Sequence, residues 1–214
     1  MAGPGPVSGE GLAADAVNEP AARMDRVRAA RAADEPAARV DRVRTARAAD
    51  EHAARVDRVR AALRASGAAG EVVELDGPAP TAAAAAARLG CAVGAVANSL
   101  VFAVDGAPLL VLTSGAHRVD TRLLARLLGV GRGRIRRADP AFVLAVTGQE
   151  VGGVAPVGHP RPVRTLVDAA LAGHPYVWAG AGAAHAVFRT TFAELVRLTG
   201  GEAAVVAADG PGDR

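Results

Sequence analysis

Apolar positions are sparse over residues 19–66, where one 16-residue unit occurs three times: EPAARMDRVRAARAAD (19–34), EPAARVDRVRTARAAD (35–50) and EHAARVDRVRAALRAS (51–66). Each copy is helical in composition. Pro20 and Pro36 follow acidic residues, as a proline does at the start of a helix, and predict a fresh helix in each copy. Only the third copy is amphipathic, with Val56, Val59 and Leu63 at i, i+3 and i+7. The first two place Arg31 and Arg47 at the third position of that stripe. At about 100° per residue, units of this length turn their stripes about 160° from one another, so the three cannot share one apolar face. The third copy therefore reads as the first helix of a domain, and the first two as solvated, poorly docked extensions. Residues 1–18, rich in Gly, Pro, Ala and acid, predict disorder.

From residue 71 the pattern alternates between strand and helix. EVVEL (71–75) predicts a strand, and Thr81 caps a helix that Gly90 ends after Leu89. A strand within 94–106, the turn Asp105-Gly106 and PLLVLTS (108–114) predict a hairpin. VDTRLLARLLG (119–129) is amphipathic, with Leu123, Leu124, Leu127 and Leu128 on one side and Arg122 and Arg126 on the other. Asp139-Pro140 opens a short helix that ends at Gly148. VRTLV (163–167), YVWAG (176–180) and HAVFR (185–189) predict strands, Thr191 and Glu194 a capping box, and EAAVVAA (202–208) a last strand. Strands outnumber helices and mix with them irregularly. That predicts one α/β domain of the α+β type with a curved, mixed sheet over 51–208, an extension over 1–50 and a tail over 209–214.

One strand is anomalous. Asn98 and Ser99 stand near the start of GAVANSLVFAVDG (94–106), where a strand should bury apolar surface. A buried amide needs partners, so this pair needs a reason.

Composition narrows the setting. Half of the 214 residues are hydrophobic, but few are aromatic, so Leu, Val and Ala must build the core. The net charge is +3, and every basic residue is Arg. No apolar run suits a bilayer and the first residues lack signal-peptide features, which predicts a cytoplasmic protein. The lone Cys91 cannot form an internal disulfide and follows Gly90 in apolar surroundings, as a core thiol does.

The candidate chemistry is loop-borne. EVGGVAPVGHP (150–160) carries little side chain on its backbone, so its N–H groups can approach a ligand. AGAGAAHAVF (179–188) has Gly180 and Gly182 before His185, but no GxGxxG opening a helix. Alone, His185 reads as a partly buried, hydrogen-bonded histidine. Arg118 to Arg137 hold seven Arg and one acid, Asp120, a patch that suits phosphate as well as plain solvent. GxSxG, HExxH, CxxC and the P-loop are absent, and the five histidines lack metal-ligand spacing. No metal and no cofactor are expected.

Together, TAAAAAARLGCAVGAVANSLVFAVDGAPLLVLTSGAHRVD, TGQEVGGVAPVGH and GAGAAHAVFRTTFAELVRLTGG resemble the YbaK-like aminoacyl-tRNA editing domain family over about residues 53–208. The resemblance implies a mixed, barrel-like sheet flanked by helices. It implies hydrolysis of the ester joining a wrong, small amino acid, such as Ala or Cys on proline tRNA, to the tRNA 3′ end. Its Gly-x-x-x-Pro loop corresponds to Gly152 through Pro156, with Gly153 between. By resemblance this loop holds the aminoacyl group and positions water, so no side-chain nucleophile is needed. The family's pocket lysine falls on Asn98. The implied pocket contacts are Ser99, Thr113, Ser114, Gly115, His159, Gly182 and His185, with Arg118, Arg134, Arg136 and Arg137 on the tRNA backbone; Asp168 reads as a structural carboxylate. The implied partners are aminoacylated tRNA and an aminoacyl-tRNA synthetase. The alternative is a protein of this fold that binds tRNA or an aminoacyl compound without hydrolysis, since Asn98 is neutral where the family carries a charge.

Overall fold

A computed structural model of the chain describes residues 19–77 and 79–208. The chain divides into two units between Asp50 and Glu51. The first is occupied by the leading part of helix α1 (Glu19–Ala65). Its side chains from Arg39 to Asp50 are exposed, Val40 and Val43 included, as the broken stripe predicts. Pro36 does not open a helix of its own, because α1 runs through it. The Ala- and Arg-rich flanks have enough helix propensity to carry an interior proline, at a local cost of about 3 kcal/mol.

In the second unit, Val56, Val59 and Leu63 of the third copy are buried. Each Val or Leu removed from water contributes about 1.5–3 kcal/mol, which is what the exposed Val40 and Val43 of the second copy forgo. Among the described residues five helices and eight strands run in the order α1, β1 (Val72–Glu74), α2 (Ala82–Leu89), β2 (Val96–Val104), β3 (Ala107–Ser114), α3 (Thr121–Leu128), β4 (Ile135–Arg137), α4 (Pro140–Thr147), β5 (Arg164–Asp168), β6 (Val177–Gly180), β7 (Ala186–Thr190), α5 (Phe192–Thr199) and β8 (Glu202–Ala204). The helix starts are locally encoded. Thr81 accepts from the Ala84 N–H, Asp120 from Arg122, Asp139 from Phe142 and Thr191 from Glu194. The reciprocal half of the expected capping box is missing: the Glu194 carboxylate accepts instead from the Thr190 hydroxyl and the Ala69 N–H. Burial would raise this carboxyl, but those hydrogen bonds and the neighbouring Arg197 outweigh it and hold it below its ordinary value.

The eight strands form one mixed sheet ordered β1-β7-β6-β2-β3-β5-β8, with β4 also on β2. Asp105, at φ 52°, and Gly106 make the tight β2–β3 turn. β3 is buried on both faces. Leu110 and Leu112 join Val56, Val59, Phe188 and Leu195 on one side; Leu109 and Val111 join Phe102, Leu124, Ile135 and Leu166 on the other. In α3 Leu124 is buried as expected, but Leu127 is half exposed and Ala125 takes the inward position, because the contact face of so short a helix is narrow. The basic segment contains the unforeseen strand β4, whose Ile135 is its buried anchor.

The middle strand is split along one edge. β3 pairs with β2 without a break from Ala97↔Ser114 to Val104↔Ala107. On the opposite edge, parallel β6 takes only Val96 and Ala97, and antiparallel β4 takes only Phe102 to Val104. Asn98 to Leu100 lie in the gap between the two.

Candidate functional site

A cavity of about 340 Å³ opens at this gap. Asn98, Ser99 and Leu100 of β2 line it, with Gly152 and Val154 of the glycine loop, Gly180 at the end of β6, and Arg137. Most of its remaining wall is alanine: Ala79, Ala82, Ala85, Ala97, Ala183, Ala184 and Ala186. Both residues of the polar pair on β2 thus border a pocket. The Ser99 hydroxyl is buried without a hydrogen-bond partner. Arg137 is the one charged side chain among the described lining residues. Its guanidinium stands 5.7 Å from the centre of the Phe102 ring, which directs it without neutralising it.

The glycine loop is shaped by contacts a side chain would forbid. Gly152 has φ +92°, and the Gly153 N–H donates to Glu150 O. A Cβ on Gly153 would stand 2.6 Å from the Ala183 backbone. The loop also depends on a residue that sequence reading passed over. Gln149 is fully buried; its Oε1 accepts from the Ala155 N–H at 2.6 Å and its Nε2 donates to Val157 O at 3.2 Å. The Thr147 hydroxyl holds the Gln149 backbone in turn. The signal was present as the one amide inside TGQEVGGVAPVGH.

The other expected residues fall into supporting shells. Pro156 is buried within the loop, behind the lining. His159 closes the loop from its far end, its Nε2–H donating to Ala155 O at 2.9 Å. Burial lowers its pKa and that hydrogen bond partly offsets the effect. Gly182 donates its N–H to Gly153 O, bracing the loop from behind. Thr113 and Ser114 belong to a buried network around Asp168. Its Oδ2 accepts from the Ser114 N–H, the Thr113 hydroxyl and His117 Nδ1, and its Oδ1 from the Ala170 N–H. Ser114 Oγ donates to Gly94 O, and Gly115 packs against Val93 and Ala82. His185 stacks on His52, ring centres 4.3 Å apart. Burial first, then His185, lowers the His52 pKa. Among the arginines, Arg134 pairs with Asp105, while Arg118 and Arg136 are exposed. Arg136 and Arg137 are neighbours on β4 and project to opposite faces. Among the described residues no helix is long and apolar enough to cross a membrane.

The domain thus sets a small-walled pocket between a split strand and a glycine loop, in a mixed α/β fold. Residues 76–198, more than half of the chain, match the family described as "Aminoacyl-tRNA editing domain", and the chain belongs to that family. A solved structure described as a candidate trans-editing enzyme for prolyl-tRNA synthetase is similar at 40% identity and TM-score 0.67, covering 72% of this chain and 96% of its own. Hypothetical protein APE2540 is similar at 29% identity and TM-score 0.65, covering 71% and 99%. The curated protein YwhH of Bacillus subtilis is 27% identical over 126 residues, 58% of this chain and 78% of its own.

Proposed function

We propose that this protein is a free-standing aminoacyl-tRNA deacylase that removes a small amino acid, such as Ala or Cys, wrongly esterified to a tRNA such as proline tRNA. The observation that carries the reading is an alanine-walled pocket bordered by the unpaired edge of β2 at Asn98, the glycine loop at Gly152 and Arg137, the one cation among the described lining residues. The alanine walls suit a side chain of one or two heavy atoms. The selectivity this gives is coarse, since one methylene in a pocket is worth about 1–3 kcal/mol.

In the reaction, a water oxygen bonds to the ester carbonyl carbon and the negative charge moves to the carbonyl oxygen. The C–O bond to the ribose then breaks; the ribose oxygen takes a proton and the amino acid leaves with a carboxyl group. The ester is already activated, so position and a donor for the developing oxyanion carry the catalysis. With the Gly153 amide spent on Glu150 O, the Gly152 amide and the Asn98 carboxamide are the donors for that oxygen. Arg137 supplies the positive charge that Asn98 lacks, facing the phosphate of the tRNA end. The test is turnover of mischarged tRNAs by the intact chain beside Gly152→Val. Loss of turnover in the loop variant supports the reading. A wild type that protects the ester, binding it without release of amino acid, overturns it in favour of a binding module.

A further inference from the structure

The repeat changes at one position that the pocket does not use. Where the first two copies carry Pro20 and Pro36, the docked third copy carries His52. The fold brings this residue to the edge of the sheet. The β1–β7 ladder sets Glu74 opposite Ala186, and the Leu75 N–H donates to His185 O. One donor atom from each of His52, Glu74 and His185 lies within 4.8 Å of the others. The imidazoles stack at 13° between planes, and His52 Nε2 is buried with no hydrogen-bond partner.

We infer that His52, Glu74 and His185 form a site for one divalent ion of the zinc class, with water in the fourth position. Two imidazoles and a carboxylate are a donor set that such an ion accepts, and three protein ligands leave one position open. The surrounding charge suits a dication. Arg55 pairs with Glu150, and Arg60 with Asp57 and Glu74, so the neighbouring cations are each matched by a carboxylate. The bond from Arg60 uses Glu74 Oε1. Lone pairs of parallel rings lie in parallel planes, so binding must tilt the two imidazoles toward each other and open the stack. A tetrahedral ion with ligands about 2 Å away needs donors about 3.3 Å apart, nearer than the 4.8 Å within which these atoms now lie, so the rings must approach as well as turn. The ion would tie the third repeat copy to the β1–β7 edge, beside pocket-lining Ala184 and Ala186. This inference is independent of the proposed hydrolysis.

The experiment is calorimetric titration of the full chain with Zn²⁺, and of His52→Ala, His185→Asn and Glu74→Gln, each first shown folded by circular dichroism. Wild type is expected to take up one ion per chain and to melt higher with Zn²⁺. Losing either histidine should weaken binding by more than about tenfold, the scale of losing a mere supporting partner. Should the variants misfold, Co²⁺ added to the wild type alone decides: intense visible bands of a tetrahedral imidazole-ligated site are expected. A wild type with neither stoichiometric uptake nor such bands overturns the inference. So does unchanged affinity in folded histidine variants, which would assign the ion to other histidines.

Discussion

Gln149→Leu tests whether one buried amide shapes the glycine loop. Leucine keeps nearly the volume of glutamine, so the change removes two hydrogen bonds with little cavity. The partners left behind, the Ala155 N–H and Val157 carbonyl, belong to buried residues. Each unsatisfied buried group costs about 1–3 kcal/mol, so the pair predicts a loss of about 2–6 kcal/mol. At about 2–4 °C per kcal/mol for a chain of this size, the melting midpoint should fall by roughly 5–20 °C. Thermal and urea unfolding followed by circular dichroism measure it. Gln149→Ala should lose somewhat less if water enters the vacated space and rejoins the two groups. A Gln149→Leu protein within about 0.5 kcal/mol of wild type would refute the reasoning and mean that the loop holds its own shape.

Two further predictions concern charge. The His159 pKa is lowered in the fold by burial, so the unfolded chain binds this proton more readily. Its contribution is intact above the unfolded value of about 6.5 and is lost as pH falls from there through the folded value; unfolding measured at pH 7.5 and pH 5 should show this acid sensitivity reduced in His159→Gln. Arg137→Ala should weaken tRNA binding and lower the slope of log affinity against log salt by about one contact, whereas Arg134→Ala, whose cation is paired with Asp105, should change that slope less. Equal slopes for the two, measured by filter binding across a salt series, would remove Arg137 from the tRNA contact.

What could be read in the sequence was local. Thr81, Asp139 and Thr191 each cap the N–H group three residues ahead, so each of these helix starts is written beside its cap. The docked third copy was legible because Val56, Val59 and Leu63 repeat at helical spacing. The role of Asn98 and Ser99 was only half legible. A polar pair in a strand signals a ligand or a partner, but the cause is the divided edge of β2, set by two strands distant in sequence. β4 escaped notice because three residues inside a run of arginines carry no alternation long enough to see. The grouping of His52 with His185 escaped for a different reason: ligand spacing in sequence finds sites built on one loop or helix. This one joins a helix to a sheet edge 133 residues away. Glu194 adds a caution, since a motif with correct spacing sends its carboxylate to Thr190 and Ala69.

The proposed deacylase has its pocket where the gap in β2 meets the glycine loop. The most direct measurement is release of labelled amino acid from alanyl- and cysteinyl-tRNA for proline, at protein concentrations well below that of the tRNA. The account predicts multiple turnovers by the wild type, and none by Gly152→Val, whose branched side chain cannot adopt the φ of +92° without strain. Binding without release across a panel of mischarged tRNAs, with hydrolysis appearing only in Asn98→Lys, would contradict it and leave the pocket a recognition site.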